Sequence, residues 1–267
     1  MNVTVLGSGS RGNALALETD GRALLVDAGF GARALVRRAR RVGLDLSTLA
    51  GVFLTHEHGD HARGAAGLAR RFGCPVYASR GTLRAMTRRL RDAVTVPLRL
   101  DEDVPIGPFT VRACRTAHDA AEPVCVAVRD GRGRTLGVAY DLGRPPASLR
   151  HLFRHAGCLV VEANHDDALL RAGPYPASVQ RRIAGPGGHL SNTAAATLLA
   201  ALCHPGLRTV VLAHVSDACN RPGLALRAVR RALGASGFRG RVLVALQDRP
   251  LPTFAVAPAE QLSFELV

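Results

Sequence analysis

The feature that most constrains this chain is a run of metal-binding side chains directly after a short apolar segment. Val52-Phe53-Leu54 has the composition of a buried strand, and Thr55-His56-Glu57-His58-Gly59-Asp60-His61 follows it without a break. Side chains two residues apart at a strand end point to the same side, so His56 and His58 can hold one cation. Asp60 and His61, at the start of the next predicted helix, can hold a second. The alternative is a solvated polar loop, although so apolar a strand rarely ends in four potential ligands.

Two metal sites need more ligands than this segment contains, and the chain offers them after other predicted strands. His118 follows a strand at 109–113, Asp141 follows the apolar segment 136–140, and His214 follows a strand at 209–213. Any one of the three alone is more readily explained as an ordinary loop or core residue. Because ligand sites favour the C-terminal ends of strands, their shared position indicates convergence on one sheet edge.

The remaining pattern predicts strands that alternate with helices, without a linker or an internal repeat. Strands are predicted at 2–6, 14–18, 23–26, 51–55, 75–78, 158–162, 208–213 and 241–246, with several short ones between 94 and 140. Helices are predicted at 31–42, 62–72, 81–92, 146–155, 176–184, 191–203 and 223–235. Such an order favours sheets covered by helices in a layered α/β arrangement. We expect one domain over residues 1–267.

The order of the ligand candidates resembles that of the metallo-β-lactamase superfamily. The matching elements are His56-x-His58-x-Asp60-His61, then His118, Asp141 and His214, together with the early Leu25-Val26-Asp27-Ala28-Gly29. The resemblance implies an α/β fold of the four-layer αββα type with a dinuclear metal site along one edge. It implies that His56, His58 and His118 bind the first metal, that Asp60, His61 and His214 bind the second, and that Asp141 bridges them. This ligand set accepts two divalent ions, Zn²⁺ or Mn²⁺, and the sequence does not choose between them.

Further segments resemble the phosphodiesterase members of the superfamily, including RNase Z. They are Glu162-Ala163-Asn164-His165-Asp166, Gly188-His189-Leu190-Ser191-Asn192 and Ala213-His214-Val215-Ser216. Together with Gly7-Ser8-Gly9-Ser10-Arg11-Gly12-Asn13 and Ala117-His118-Asp119-Ala120, they are similar to the YycJ (WalJ) group. That similarity implies a 5′→3′ exonuclease on double-stranded DNA that uses a dinuclear-metal-bound hydroxide as its nucleophile.

Three residues are predicted to take part in catalysis, namely Asp60 through its metal, His189 and Glu162. His189 lies outside the seven ligand positions and is expected to donate a proton, or a hydrogen bond in the transition state, to the leaving oxygen. Glu162 is expected to accept the other N–H of that imidazole, with a salt bridge inside the sandwich as the alternative. Ser191 and Asn192 open a predicted helix, where they could contact a substrate phosphate or form a plain N-cap.

The net charge of +14 comes with 35 basic residues, all of them Arg. Such a balance favours anionic partners, and nucleic acid is the obvious polyanion, with DNA favoured over RNA by the resemblance. A GC-rich genome would also produce an Arg-only composition, so a merely solvated basic surface stays open. No apolar run is long enough for a membrane span and no secretion signal is evident, so we expect a soluble, cytoplasmic protein without a membrane partner.

Two other function classes remain open at this point. A small-molecule metallohydrolase acting on a thioester, lactone or cyclic phosphodiester would use the same ligand residues, because a fold and its metal site do not determine the substrate. A nucleic-acid-binding regulator with a structural metal site would keep the basic surface without catalysis. The sequence predicts neither the oligomeric state nor the biological pathway.

Overall fold

The strands of the protein form two seven-stranded sheets, which the computed structural model describes over residues 1–257. The first sheet has the order β14-β1-β2-β3-β4-β5-β6, from Phe254–Ala255, Asn2–Gly7, Ala14–Thr19, Arg22–Val26, Leu49–Phe53, Val76–Ser79 and Thr95–Leu98. The second has the order β13-β12-β11-β10-β9-β8-β7, from Arg241–Val244, Thr209–Ala213, Cys158–Glu162, Thr135–Ala139, Val124–Asp130, Phe109–Arg115 and Val104–Ile106.

Helices cover the outer faces of both sheets. Nine are described, α1 to α9, at Ala32–Arg41, Gly59–Ala62, Ala65–Phe72, Arg80–Ala85, Leu149–Leu152, Asp167–Arg171, Ala177–Ile183, Asn192–Leu202 and Pro222–Ala235. Within the described part of the chain, none is long and apolar enough to cross a membrane.

Alternation along the strands builds three apolar layers and explains why the sheets stack. In β3, Leu24 and Val26 face the other sheet, whereas Ala23 and Leu25 face helices α1 and α3. In β12, Val211 packs between the sheets while its neighbours contact α8 and α9. Strands covered on both faces are apolar throughout, as expected for the parallel parts of a sheet. The predicted four-layer αββα sandwich is confirmed.

Parallel pairing determines where the site forms. Strands β3 to β6 are parallel neighbours in the first sheet, and β10 to β13 are parallel neighbours in the second. Parallel strands that start at one edge all end at the opposite edge. The segments after β3, β4, β10, β11 and β12 therefore emerge at the C-terminal edges of the two sheets.

Three predicted helices are clearly shorter in the structure. The predicted helix at 81–92 ends with α4 at Ala85, because the chain then continues as turns that bury Met86 and Leu90. The predicted helix at 146–155 is reduced to α5, because the chain forms turns at 147–148 and 153–155 on either side of it. The predicted helix at 62–72 begins at Ala65, after the separate turn α2.

Candidate metal centre

Residues at or just beyond the C-terminal ends of five different strands meet at one end of the sandwich. The segment after β4 contributes His56 and His58, and α2 immediately contributes Asp60 and His61. Three further residues come from the segments after β8, β10 and β12, and Glu162 is the last residue of β11: these three are His118, Asp141 and His214. The structure thus brings all seven predicted metal ligands to the same edge, together with Glu162.

The ligand atoms form two neighbouring groups. One group is His56, His58 and His118, and the other is Asp60, His61, Asp141 and His214, with the atoms of each group within 4.8 Å of one another. Asp141 Oδ2 lies between the two groups, 3.4 Å from His56 Nε2 and 2.7 Å from His61 Nε2. The distance from His118 Nε2 to His58 Nδ1 is 3.2 Å, and that from His214 Nε2 to Asp60 Oδ2 is 3.3 Å. This grouping is the one that the family resemblance implies.

The donor set fits a pair of divalent cations. His56 Nε2 is a buried atom without a hydrogen-bond partner among the described residues, and Asp141 Oδ1 lies among imidazole nitrogens, 3.0 Å from His189 Nδ1 and 3.4 Å from His214 Nδ1. Buried polar atoms normally find partners, so His56 Nε2 marks a position where another group belongs. Imidazole nitrogens and carboxylate oxygens are ligands for zinc and manganese. The clusters are therefore consistent with a dinuclear metal site.

Three residues of the site have left-handed backbone conformations. Asp27, Asp141 and His214, each directly beyond or close to a strand end, have φ angles of 61°, 47° and 49°. Such angles are uncommon for residues other than glycine and cluster where the surrounding structure enforces them, often at functional sites. Here they turn the chain sharply after β3, β10 and β12.

Asp27 supports the site without being one of the predicted ligands. Its Oδ2 lies 2.7 Å from His61 Nδ1, and its Oδ1 accepts a hydrogen bond from the backbone N–H of Thr55 at 2.8 Å. A carboxylate at one ring nitrogen fixes the orientation and tautomer of an imidazole whose other nitrogen faces a metal. The sequence indicates Asp27 only as part of a motif, although Asp27, like Asp141, lies just past an apolar strand.

Asn164 and Ser8 belong to the sequence motifs given above, and both contact His214. Asn164 Nδ2 lies 3.0 Å from His214 Nδ1 and also donates to the His214 carbonyl at 3.0 Å. Ser8 Oγ accepts from the backbone N–H of His214 at 2.8 Å and donates to Asn13 Oδ1 at 2.7 Å. These contacts hold His214 from two sides, and no sequence pattern reveals such partners across 50 or 206 residues.

His189 and Glu162 form the expected pair beside the ligand clusters. His189 Nδ1 is 3.1 Å from Glu162 Oε2 and 3.0 Å from Asp141 Oδ1. Glu162 is fully buried, and its Oε1 accepts from the backbone N–H groups of Leu142 and Leu190 at 2.8 and 3.0 Å. Burial opposes a charge on His189, but Glu162 and Asp141 outweigh it and raise the pKa of this imidazole well above its ordinary value.

Ser191 and Asn192 use their side chains within the protein. Ser191 Oγ accepts from the backbone N–H of Ala194 at 3.2 Å, which makes it the N-cap of α8. Asn192 is buried, and its amide exchanges two hydrogen bonds with the amide of Asn220. A phosphate contact by either residue stays a prediction.

A cavity of about 280 Å³ opens onto the ligand clusters. On one side it is lined by metal-ligand candidates and His189, and on the other by Tyr175, Val179 and Ile183 from the segment that contains α7. Ser10, Arg182 and Ser216 contribute polar groups to its rim. The space can admit a small charged group against the imidazoles and carboxylates.

Comparison with known proteins agrees with this arrangement. The sequence profile of the metallo-beta-lactamase superfamily matches residues 7–173. The chain is 34% identical to exodeoxyribonuclease YycJ of Bacillus anthracis over 241 residues, which cover 89% of this chain and 91% of that protein. It is 28% identical to exodeoxyribonuclease WalJ of Streptococcus pneumoniae serotype 2 over 228 residues, covering 83% and 84% of the two chains.

A solved structure matches the fold over nearly the whole chain. It is the metallo-beta-lactamase fold protein YhfI from Bacillus subtilis, with a TM-score of 0.71 and 18% sequence identity. The superposition covers 94% of this chain and 98% of YhfI. The sequence profile, the YycJ relative and the arrangement of the His and Asp residues all lead to one assignment: this chain belongs to the metallo-β-lactamase superfamily of metal-dependent hydrolases.

Proposed function

We propose that this protein is a metal-dependent phosphodiesterase that degrades double-stranded DNA from its ends in the 5′→3′ direction. The observation that most strongly supports this proposal is the pair His189–Glu162, which lies against Asp141 at the edge of the metal-ligand clusters. Hydrolysis of a phosphodiester is assisted by a group that protonates the leaving oxygen, and a half-buried imidazole beside two carboxylates is suited to that task. The exodeoxyribonuclease names of the relatives YycJ and WalJ support the choice of DNA.

In this proposal, the two groups of ligands hold one divalent ion each, zinc or manganese. His56, His58 and His118 hold the first, and Asp60, His61 and His214 hold the second, with Asp141 shared between them. When bound, such ions lower the pKa of water and neutralise charge that develops on phosphoryl oxygens. Asp27 and Asn164 keep His61 and His214 in position through contacts with the Nδ1 atom of each ring.

The protein's own residues donate the proton to the leaving oxygen and attract the negatively charged substrate. Glu162 holds the Nδ1 proton of His189, so that a proton on Nε2 can pass to the oxygen released when the P–O bond breaks. The net charge of +14 attracts the phosphate backbone over long distances. Buried residues from both sheets form one continuous apolar layer between them, and this layer supports our proposal that the chain forms one domain.

A nuclease assay with metal-stripped protein tests the proposal. Zn²⁺ or Mn²⁺ is added back, and blunt duplex DNA labelled at the 5′ or the 3′ end is compared with single-stranded DNA and structured RNA. We expect metal-dependent release of nucleotides from the 5′ end of the duplex. Turnover of a simple thioester or lactone without cleavage of any nucleic acid would instead identify a small-molecule hydrolase.

Variants show whether the described site performs the reaction. We expect the Asp60→Ala variant to fall to background, and the His189→Ala variant to lose about 10²- to 10⁴-fold in rate, as is typical when a general acid is removed. His151→Ala is the matched control, because His151 is exposed and lies outside the ligand clusters. Full activity of a pure Asp60→Ala preparation would refute the proposed site.

A further inference from the structure

The wall opposite the ligand clusters has an unusual composition for a protein surface. Tyr175, Val179 and Ile183 line the cavity, and Val179 and Ile183 are four residues apart on one face of α7. No residue of α7 is fully buried, and Val179 and Ile183 are half-buried. Among the described residues, Val94 is the one large hydrophobic side chain that is exposed. Apolar side chains normally pack into a core, so this helix presents its apolar face to the cavity.

Hydrogen bonds hold this wall at a defined distance from the metal-ligand side. The side-chain amide of Gln180 donates to the Tyr175 carbonyl at 2.9 Å, which closes the turn that leads into α7. The backbone N–H of His189 donates to the Ile183 carbonyl at 2.8 Å. Arg182 Nε donates to Asp119 Oδ2 at 2.6 Å, next in sequence to His118. The wall is thereby tied to the segments that contain His118 and His189.

Glycine makes the close approach of the two segments possible. A Cβ atom at Gly188 would overlap the carbonyl oxygens of Arg182 and Ile183 at the end of α7. Only a residue without a side chain lets the His189 segment lie this near to the wall. The cavity is therefore a built feature with two chemically different sides, one of imidazoles and carboxylates and the other of an aromatic ring and branched aliphatic groups.

We propose that Tyr175, with Val179 and Ile183, forms a nucleobase subsite that stacks on the base of the nucleotide being released. This inference rests on the proposed function, because that function places a phosphodiester at the ligand clusters. A nucleotide has its flat, weakly polar base next to its phosphate, and base faces stack on tyrosine rings whatever the base. The subsite therefore favours nucleic acid over simple phosphodiesters, without selecting among bases.

The test compares two duplexes that differ only at the 5′-terminal nucleotide, which is either natural or replaced by a tetrahydrofuran abasic analogue. We expect Tyr175→Ala to reduce kcat/KM on the natural end by about 5- to 150-fold, the effect of losing one base-stacking contact. Tyr175→Phe, which keeps the ring, should stay within about twofold of the wild type on the same reasoning. On the abasic end, the wild type and Tyr175→Ala should be equal.

Controls separate this inference from the proposed function and from misfolding. Val94→Ala removes an exposed apolar side chain elsewhere and should change neither substrate's kinetics. Thermal melting shows whether Tyr175→Ala is folded, and Val179→Ala provides a second, milder probe of the wall. Equal losses on both ends, or no loss on either, would overturn the subsite.

Equilibrium binding of the fluorescently labelled duplexes tests the subsite independently of cleavage. The natural end should bind more tightly than the abasic end to the wild type, and equally to Tyr175→Ala. If the wild type cleaves neither duplex, the proposed function fails, while this difference in affinity still decides the subsite. Equal affinity of the wild type for the two ends would overturn it.

Discussion

Two buried aspartates at opposite ends of β10 have opposite surroundings. Asp130 precedes the strand, and both of its oxygens are used: Oδ1 accepts from the backbone N–H groups of Arg132 and Arg134 at 3.0 Å, and Oδ2 accepts from Arg134 Nε at 2.7 Å. Asp141 follows the strand, and its oxygens lie among imidazole nitrogens, with Oδ1 3.0 Å from His189 Nδ1 and Oδ2 2.7 Å from His61 Nε2. Four imidazoles lie near it, those of His56, His61, His189 and His214.

The difference separates a structural carboxylate from one arranged for a ligand. A buried carboxylate with a guanidinium and two backbone donors is internally neutralised and closes the β9–β10 hairpin. A buried carboxylate among imidazoles is surrounded by groups that can themselves bind a cation. Burial alone does not distinguish the two residues, since Asp130 is 4% and Asp141 2% exposed. Their partners do.

The largest expected effect is that of Asp141→Asn on metal binding and activity. The amide keeps the shape of the side chain but removes the charge shared between the two ligand groups, so we expect fewer than two metal ions per chain and nuclease activity at background. Metal content by mass spectrometry and the duplex assay measure both quantities. Two bound ions with unchanged activity would contradict the ligand role of Asp141, because Asp141 would then be a structural carboxylate like Asp130.

Asp130→Ala should have the reverse effect, on stability and not on activity. Removing the carboxylate leaves the Arg134 guanidinium without its buried partner, which typically costs about 3–5 kcal/mol in free energy of unfolding. Denaturant unfolding measures this loss, and activity per folded molecule should stay at the wild-type value. The neighbouring exposed residue provides the control, since Arg129→Ala breaks only a surface ion pair with Asp103 and should cost at most about 1 kcal/mol. A catalytic defect in folded Asp130→Ala would contradict the purely structural role of Asp130.

The pH dependence of stability should sharpen the same comparison. Burial alone would raise the pKa of the Asp130 carboxyl, but hydrogen bonds from Arg134 and from the N-terminal ammonium outweigh it and lower this pKa below its ordinary value. A carboxyl whose pKa is lower in the folded state stabilises the protein above its unfolded-state pKa, about 3.9, and this contribution disappears as the pH falls through the folded-state pKa. The melting-temperature difference between wild type and Asp130→Asn should therefore shrink as the pH is lowered from about 5 to below that range. A melting-temperature difference that stays constant over this pH range would contradict the lowered pKa of Asp130.

The smallest expected effect concerns Ser191, at the same end of the sandwich as Asp141. As the N-cap of α8, it should cost about 1 kcal/mol of stability when changed to Ala and only a few tenths when changed to Gly. Thermal unfolding of Ser191→Ala and Ser191→Gly measures this pattern. A phosphate contact would show instead as an equal rise in KM for both variants, and that result would add Ser191 to the functional side of the comparison.

Much of the site could be predicted because its signal is local. Apolar strands followed within a few residues by His or Asp mark His56, His118, Asp141 and His214, and parallel strands ending at one edge bring such residues together. The limits of α4 and α5 could not be predicted as well, since turns and helices share similar short-range patterns. The apolar wall was missed entirely, because Val179 and Ile183 on a helix look like ordinary core residues.

The sequence by itself determined the layered α/β class, the superfamily and the set of candidate ligands, since these depend on residue types and on their order along the chain. Only the tertiary structure decided which atoms meet. Asp141 and His214 adopt left-handed backbone conformations, the strand order sets Asp27 beside His61, and Tyr175 and His189 line the same cavity. Contacts between residues far apart in sequence depend on how sheets stack and turns bend, and no local pattern records that geometry.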